Sequence, residues 1–207
     1  MSDYSRQGIA LPLRRRTGYL SGILAFLFAA ALGGKVWAEP PSPPDGASSV
    51  RDFGAAGDGV RDDTEAVQAA VDCGGAILFP TGRYRLTRTV NVNLAQTGWV
   101  SLLGRGTARV IMEGSGPAFR FVGSHTGTAD PNSVSPQVWE KERMPLVDGL
   151  EIVGNHEEAC GLEAVQTMQW TVTRTTVRDT VHALRLFQRN RNVILSECHF
   201  YNNRGCG

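Results

Sequence analysis

A chain of 207 residues has room for one domain, or for part of a longer one. Its formal net charge of +1 excludes a global electrostatic pull towards nucleic acid, while 42% hydrophobic residues permit a packed core. The 24 glycines fit a chain that turns often.

Arg14-Arg15-Arg16 precedes an uncharged stretch from Thr17 to Gly34, and Val36-Trp37-Ala38 puts small residues at both positions a signal peptidase reads. Residues 1–38 are therefore expected to be an export signal cleaved after Ala38, leaving a secreted or periplasmic protein with no stable membrane span. An uncleaved tract would stay as a membrane anchor, since its length falls near the lower limit for a span. Residues 39–49, Pro/Ser-rich, are expected to form a flexible lead-in to a domain over residues 50–207.

Val50 to Phe53 alternates apolar and polar residues, and Gly54, Gly57 and Gly59 then punctuate a loop in which Asp58-Gly59 is a turn pair. Asp62-Asp63-Thr64-Glu65 supplies side-chain acceptors and negative charge for a helix N-terminus. The helix is expected to run to about Asp72 on a small apolar face of Ala66, Val67, Ala69, Ala70 and Val71, and to end at Gly74-Gly75. Ala76 to Phe79 then reads as a strand, Pro80-Thr81-Gly82 as a turn, and Tyr84 to Val90 as a second strand. Asp62-Asp63 looks like a catalytic carboxylate pair but sits where the helix needs its cap.

The residues Asp52-Phe53-Gly54-Ala55, Gly57-Asp58-Gly59, Asp62-Asp63-Thr64, Ala69-Ala70 and Gly74-Gly75 through Tyr84 occur in an order that resembles the N-terminal cap of the pectate-lyase superfamily, which includes polygalacturonase-like proteins. The resemblance implies an all-β fold: a right-handed, single-stranded parallel β-helix with a short N-terminal capping helix. It implies a polysaccharide partner but does not choose a reaction, since members hydrolyse, eliminate, epimerise or only bind.

Beyond the cap, Trp99 to Gly106, Arg109 to Met112 and Ala118 to Val122 read as short strands. Gly123 to Pro145 is long and polar, an insertion with a helical turn expected at Trp139 to Arg143. From Val147 the chain repeats. Val147-x-x-Leu150-x-Ile152 aligns with Val172-x-x-Thr175-x-Val177 and with Leu195-x-x-Cys198-x-Phe200. A second phase aligns Cys160 to Gln166 with His182 to Gln188, and Arg204-Gly205-Cys206 begins a third copy. Two strand phases sharing one period of 22 to 25 residues mean a solenoid whose coils must stack to bury their apolar sides. The β-branched content of Trp170 to Val177 argues against a leucine-rich or helical repeat.

In a stacked parallel coil, equivalent positions lie about 4.8 Å apart. With Leu162, Ala164, Leu184 and Leu186 pointing inward, Glu163 and Arg185 point outward, one above the other, and Arg120 in the similar Ala118-Phe119-Arg120-Phe121 shares their face. In the family the chain resembles, that sheet forms the polysaccharide groove, so Arg120, Glu163 and Arg185 are the candidate substrate-binding residues, guanidinium groups being suited to uronate carboxylates. The competing reading is a surface ion pair worth less than about 1 kcal/mol.

The resemblance's hydrolytic branch uses two carboxylates roughly 6.5–9.5 Å apart. Its Asn-Thr-Asp, Asp-Asp, Gly-His-Gly and Arg-Ile-Lys motifs occupy no coil position here, so the catalytic residues stay unassigned. Elimination would need Ca²⁺ and a basic Arg, but Asp148, Glu151 and Asp179 show no cluster, and no other cofactor is implied. No Cys/His spacing resembles a zinc site, and no disulfide follows for Cys73, Cys160, Cys198 and Cys206. The chain stops at Gly207 as a new coil opens, so it is expected to be the N-terminal portion of a longer protein whose catalytic coils follow. The expected function is a pectin- or uronate-glycan hydrolase or lyase. The alternatives are a non-catalytic glycan-binding or surface-attachment β-helix and a uronate-polymer epimerase.

Overall fold

The structure, a computed structural model, describes residues 46–128 and 130–205. The expected signal, its cleavage point, most of the lead-in and Cys206 lie outside the described residues. Strands fall on three sides in turn. Side I holds β1 (Ala47–Ser49), β3 (Gly75–Leu78), the first half of β6 (Val100–Met112), the first half of β8 (Leu146–Gly154), β10 (Thr171–Thr173) and β13 (Ile194–Ser196). Side II holds β2 (Asp58–Asp62), β4 (Gly82–Leu86), the second halves of β6 and β8, β11 (Thr176–Arg178) and β14 (His199–Tyr201). Side III holds β5 (Val90–Asn93), β7 (Gly116–Val122), β9 (Ala159–Val165) and β12 (Leu184–Phe187). Every pairing is parallel, which makes the described chain a right-handed parallel β-helix.

The register follows the repeat. Val172 stands between Val147 and Leu195, and Val177 between Ile152 and Phe200. On side III, Leu184 is paired with Leu162. Alternation then decides what is buried: Leu102, Val147, Val172, Ile152, Val177, Phe119 and Leu162 are fully covered and join one apolar core. Each such side chain contributes about 1.5–3 kcal/mol through burial. Aromatic edges lock neighbouring sides, Phe79 against Tyr84 at 5.4 Å and against Phe119 at 6.0 Å. Leu186, expected to point inward, is about half exposed, because among the described residues no strand stacks beyond β12.

The turn from side I to side II is made by a single left-handed residue in three successive coils: Gly149 (φ 67°), Arg174 (φ 47°) and Glu197 (φ 54°). From side II to side III the corner uses Asp179 and Asn202, both also left-handed, as the polar residues there lead one to expect. Gly154 is required at that corner for another reason: a Cβ there would lie 2.5 Å from the Asp179 carbonyl oxygen of the next coil.

Helix α1 (Thr64–Asp72) takes the side-III place in the first coil and lays Val67, Ala70 and Val71 over β5. The Gln68 amide does what a further strand would do, accepting from Asn91 N at 2.8 Å and donating to Asn91 O at 2.9 Å. The two aspartates divide the capping work differently from expectation. Asp62 accepts from Thr64 N at 3.0 Å, while Asp63, 1% exposed, accepts from Ala56 N at 2.6 Å and Gly57 N at 3.1 Å and pins the preceding loop. Burial pushes the Asp62 carboxyl up, but hydrogen bonds from Thr64 and Thr87 outweigh it and hold it below the ordinary value.

Boundaries also depart from expectation. Ala47–Ser49 of the lead-in already pairs with β3, and Val50–Phe53 forms a 3-10 helix capped by Ser49 and Asp52. The strand expected from Tyr84 to Val90 breaks into β4 and β5, because Thr64 Oγ1 accepts from Thr87 N at 2.9 Å and draws the chain round a corner. Trp99 to Gly106 and Arg109 to Met112 join as β6, bent at Arg105 and Gly106, both left-handed. The insertion carries a one-turn helix at Val138–Glu142, a residue earlier than expected.

Candidate functional site

Side III brings the three candidate residues into one ladder. Arg120 pairs in register with Glu163, and Glu163 with Arg185. Their inward neighbours Phe119, Phe121, Leu162 and Ala164 are fully buried, so alternation turns all three outward from the core. Arg120 Nε donates to Glu163 Oε1 at 2.5 Å, and Arg185 Nη2 to Glu163 Oε2 at 2.5 Å. Glu163 is only 4% exposed, and each of its oxygens is taken by one guanidinium. The surface ion-pair reading is thus also realised, with its carboxylate more deeply covered than expected. Arg185 lies 5.3 Å from the Phe187 ring, and its Nε is buried without a partner. Chemically the ladder is a pair of cations around a committed carboxylate: it can receive an anion through its remaining N–H groups, but Glu163 is not free to act as a base.

Side II carries a second charged row. Arg109 Nε and Arg178 Nε donate to the two Glu151 oxygens at 2.6 and 2.9 Å, and Arg178 Nη1 reaches Asp179 at 2.5 Å. Glu151 and Asp179, expected to stand apart, therefore meet through Arg178, while Asp148 pairs with Arg174. Burial pushes the Glu151 carboxyl up, yet the hydrogen bonds from Arg109 and Arg178 outweigh it and hold the group below its ordinary value. A shallow hollow of 330 Å³ beside Arg83, Arg109 and Glu151 opens on this side.

A third feature was not singled out from the sequence. Where the insertion leaves β7, His125, Gly127 and Thr128 face Arg189 to Asn192 across a recess of 380 Å³. His125 is 2% exposed, and its Nδ1 has no hydrogen-bond partner. Burial, followed by the charges of Arg191 and Arg189, depresses its pKa below the ordinary value of 6.5. The signal that could have found it is positional: the chain leaves side III at Gly123 and again at Gln188, so both segments belong to the same corner. Among the described residues, no three of His, Cys, Asp and Glu converge where a metal ion could sit, and no helix is long and apolar enough to cross a membrane.

Comparison with known proteins agrees with this architecture. The profile of the family described as rhamnogalacturonase A/epimerase, pectate lyase-like, matches residues 47–144. The mannuronan C5-epimerase AlgE5 of Azotobacter vinelandii is 52% identical over 44 residues, 19% of this chain and 4% of that protein. The plasmin and fibronectin-binding protein A of Streptococcus pneumoniae is 44% identical over 52 residues, 22% of this chain and 7% of that protein. The chain thus matches only a small fraction of the length of these relatives. Among solved structures, the catalytic unit of a GH87 alpha-1,3-glucanase from Streptomyces thermodiastaticus superposes with a TM-score of 0.51 at 23% identity, covering 81% of this chain and 33% of that one. The family profile, over residues 47–144, and this superposition agree with the architecture described above, a right-handed parallel β-helix of the pectate-lyase-like kind with a helix over its first coil.

Proposed function

We propose that this is an exported protein acting on an acidic, uronate-type polysaccharide whose carboxylates are held on side III. The observation that carries the reading is the in-register ladder of Arg120, Glu163 and Arg185, which fixes two outward guanidinium groups at adjacent levels. Guanidinium matches a carboxylate in charge and in its two-pronged geometry. The similarity of the cap to a protein named for acting on mannuronan supports the same substrate class. Within that class, elimination or epimerisation fits the described residues better than inverting hydrolysis. Hydrolysis needs two working carboxylates, whereas Glu163 is the only carboxylate on the described strands of side III and both its oxygens are occupied. Neutralising a uronate carboxylate with arginine instead lowers the cost of removing the neighbouring ring proton, the step elimination and epimerisation share.

A second reading, glycan binding or surface attachment without catalysis, is favoured by the same commitment of Glu163 and by the similarity to a plasmin and fibronectin-binding protein. The test is to incubate the protein with polygalacturonate and with polymannuronate. Ultraviolet-absorbing unsaturated ends report elimination, altered sugar proton resonances without cleavage report epimerisation, and new reducing ends alone report hydrolysis. Retention in an affinity gel without any of these products supports the second reading. If neither polymer is bound or altered, or if Arg120→Gln leaves binding untouched, the ladder is not a glycan site.

A further inference from the structure

We propose that Arg83 and Arg109, neighbours on side II, form a binding site for an oxyanion group carried on a glycan, either a uronate carboxylate or a sulfate ester. The site lies on a different side of the coil from the Arg120–Glu163–Arg185 ladder. The choice of a glycan as carrier rests on the reading of the protein as polysaccharide-active, while the preference for an anion rests on side II alone.

The site follows from the register. Arg83 of β4 pairs with Arg109 of β6, and Arg109 with Glu151 of β8, so the two arginines stand one step, about 4.8 Å, apart. Like charges on directly opposed residues repel. Glu151 serves Arg109 alone of this pair: its oxygens accept from Arg109 Nε at 2.6 Å and from Arg178 Nε at 2.9 Å. Asp58 is the register partner of Arg83 on its other side, but Asp58 Oδ1 accepts from Val60 N at 2.7 Å and Arg61 N at 2.9 Å. Among the described residues, the Arg83 guanidinium has neither a hydrogen bond nor an ion pair, and Arg109 uses only its Nε.

Local shape gives the pair a place to receive a ligand. Between Leu103 and Ala108, β6 carries three more residues round its corner than β8 does, and Gly106 and Thr107 there become a wall of the 330 Å³ hollow. Thr81 Oγ1 donates to Thr107 Oγ1 at 2.9 Å, which ties that wall to the preceding coil and leaves the Thr107 hydroxyl its own hydrogen to donate. Gly59 makes room for the guanidinium, since a Cβ there would lie 3.1 Å from Arg83 Nε. Arg83 and Arg109 also border a second hollow of 250 Å³, with Gly59 and Asn155. An anion shared by the two arginines relieves their repulsion and accepts from them in the two-pronged way. A free ion fills neither hollow. A sugar bearing the anion can seat its ring in one hollow, at the small end of the range for ligand pockets, and extend towards the other.

The experiment titrates the protein with an oligouronate, a sulfated oligosaccharide, a neutral oligosaccharide of equal length, and acetate and sulfate ions. Calorimetry reads affinity, and NMR follows the Arg83 and Arg109 Nε–H resonances. At least one acidic sugar should move both resonances, and the one that does names the carrier. Arg83→Gln should weaken its binding about tenfold or more, and should do so equally in an Arg120→Gln background, where the ladder is impaired. Arg83 is exposed, and its replacement removes a like-charge neighbour of Arg109, so Arg83→Gln without ligand should unfold no earlier than the parent. Earlier unfolding would show Arg83 serving the fold and overturn the site. Unmoved Arg83 resonances with both acidic sugars, or parent affinity in Arg83→Gln, also overturns it and leaves the side-III reading to stand or fall on Arg120→Gln. A neutral sugar or a free ion bound as tightly as the acidic sugars overturns the assignment to a glycan-borne anion.

Discussion

Glu163 is a carboxylate enclosed by two arginines, and its removal tests what the ladder contributes. Glu163→Gln leaves Arg120 and Arg185 with no negative charge between them; because both arginines are partly exposed, the loss should be about 1–2 kcal/mol, below that for a fully buried pair, and urea unfolding measures it. Two titrating residues set different acid limits. Glu151 has its folded pKa lowered, so its contribution is complete above the unfolded value of 4.5 and is lost as pH falls below it. His125 is also lowered but is a base: the unfolded chain takes up the proton first, so stability falls as pH drops below 6.5. Thermal unfolding between pH 7 and 5 should therefore flatten in His125→Gln, while Glu151→Gln should change only the more acid limb. The ladder was legible in the sequence because alternation in paired strands leaves Arg120, Glu163 and Arg185 only one side to face. His125 was not, since a residue in an aperiodic loop gains its meaning from the corner that folds against it.

At the scale of the element, the cap shows which sequence signals survive folding. The run from Asp62 to Gly75 specified a helix and its end, and α1 is there. Which aspartate would serve the helix was not legible, since Asp62 and Asp63 are chemically alike and only the approach of Thr87 and the Ala56-Gly57 loop tells them apart. The same approach bends the chain at Thr87, an outcome no pattern within Tyr84 to Val90 could announce. Gln68 closes the edge of β5 with two hydrogen bonds, so Gln68→Ala should cost about 1–3 kcal/mol and leave the Asn91 amide exchanging faster with solvent. Unchanged exchange at Asn91 would show that the helix backbone alone protects that edge.

The whole molecule obeys its period more faithfully than its local boundaries. The alignments of Val147, Val172 and Leu195, and of Ile152, Val177 and Phe200, are observed as neighbours, because a one-residue slip would expose every inward side chain at once. Such a stack transmits damage to adjacent levels first. Trp170, fully buried and 5.2 Å from Phe121, is a suitable probe: Trp170→Ala should cost about 3–5 kcal/mol. Hydrogen exchange should show β8, β10 and β13 loosening before α1, and uniform loosening would mean that the coils unfold as one unit.

The left-handed corner shared by Gly149, Arg174 and Glu197 has a consequence for how such a chain can change length. Because each corner consumes one residue and the next level starts in the same phase, a segment equal to a full turn can be spliced in or out with its neighbours still meeting their former partners. Residues added at the corner itself can also be absorbed: Leu103 and Ala108 of β6 pair with Asp148 and Leu150 of β8, so β6 carries three more residues round that corner and its second half still meets its partners. Changes of length are thereby confined to whole turns or to the corners, while a residue lost from within a strand would shift every later partner, much as a spiral staircase can lose a storey or widen a landing but not drop half a tread.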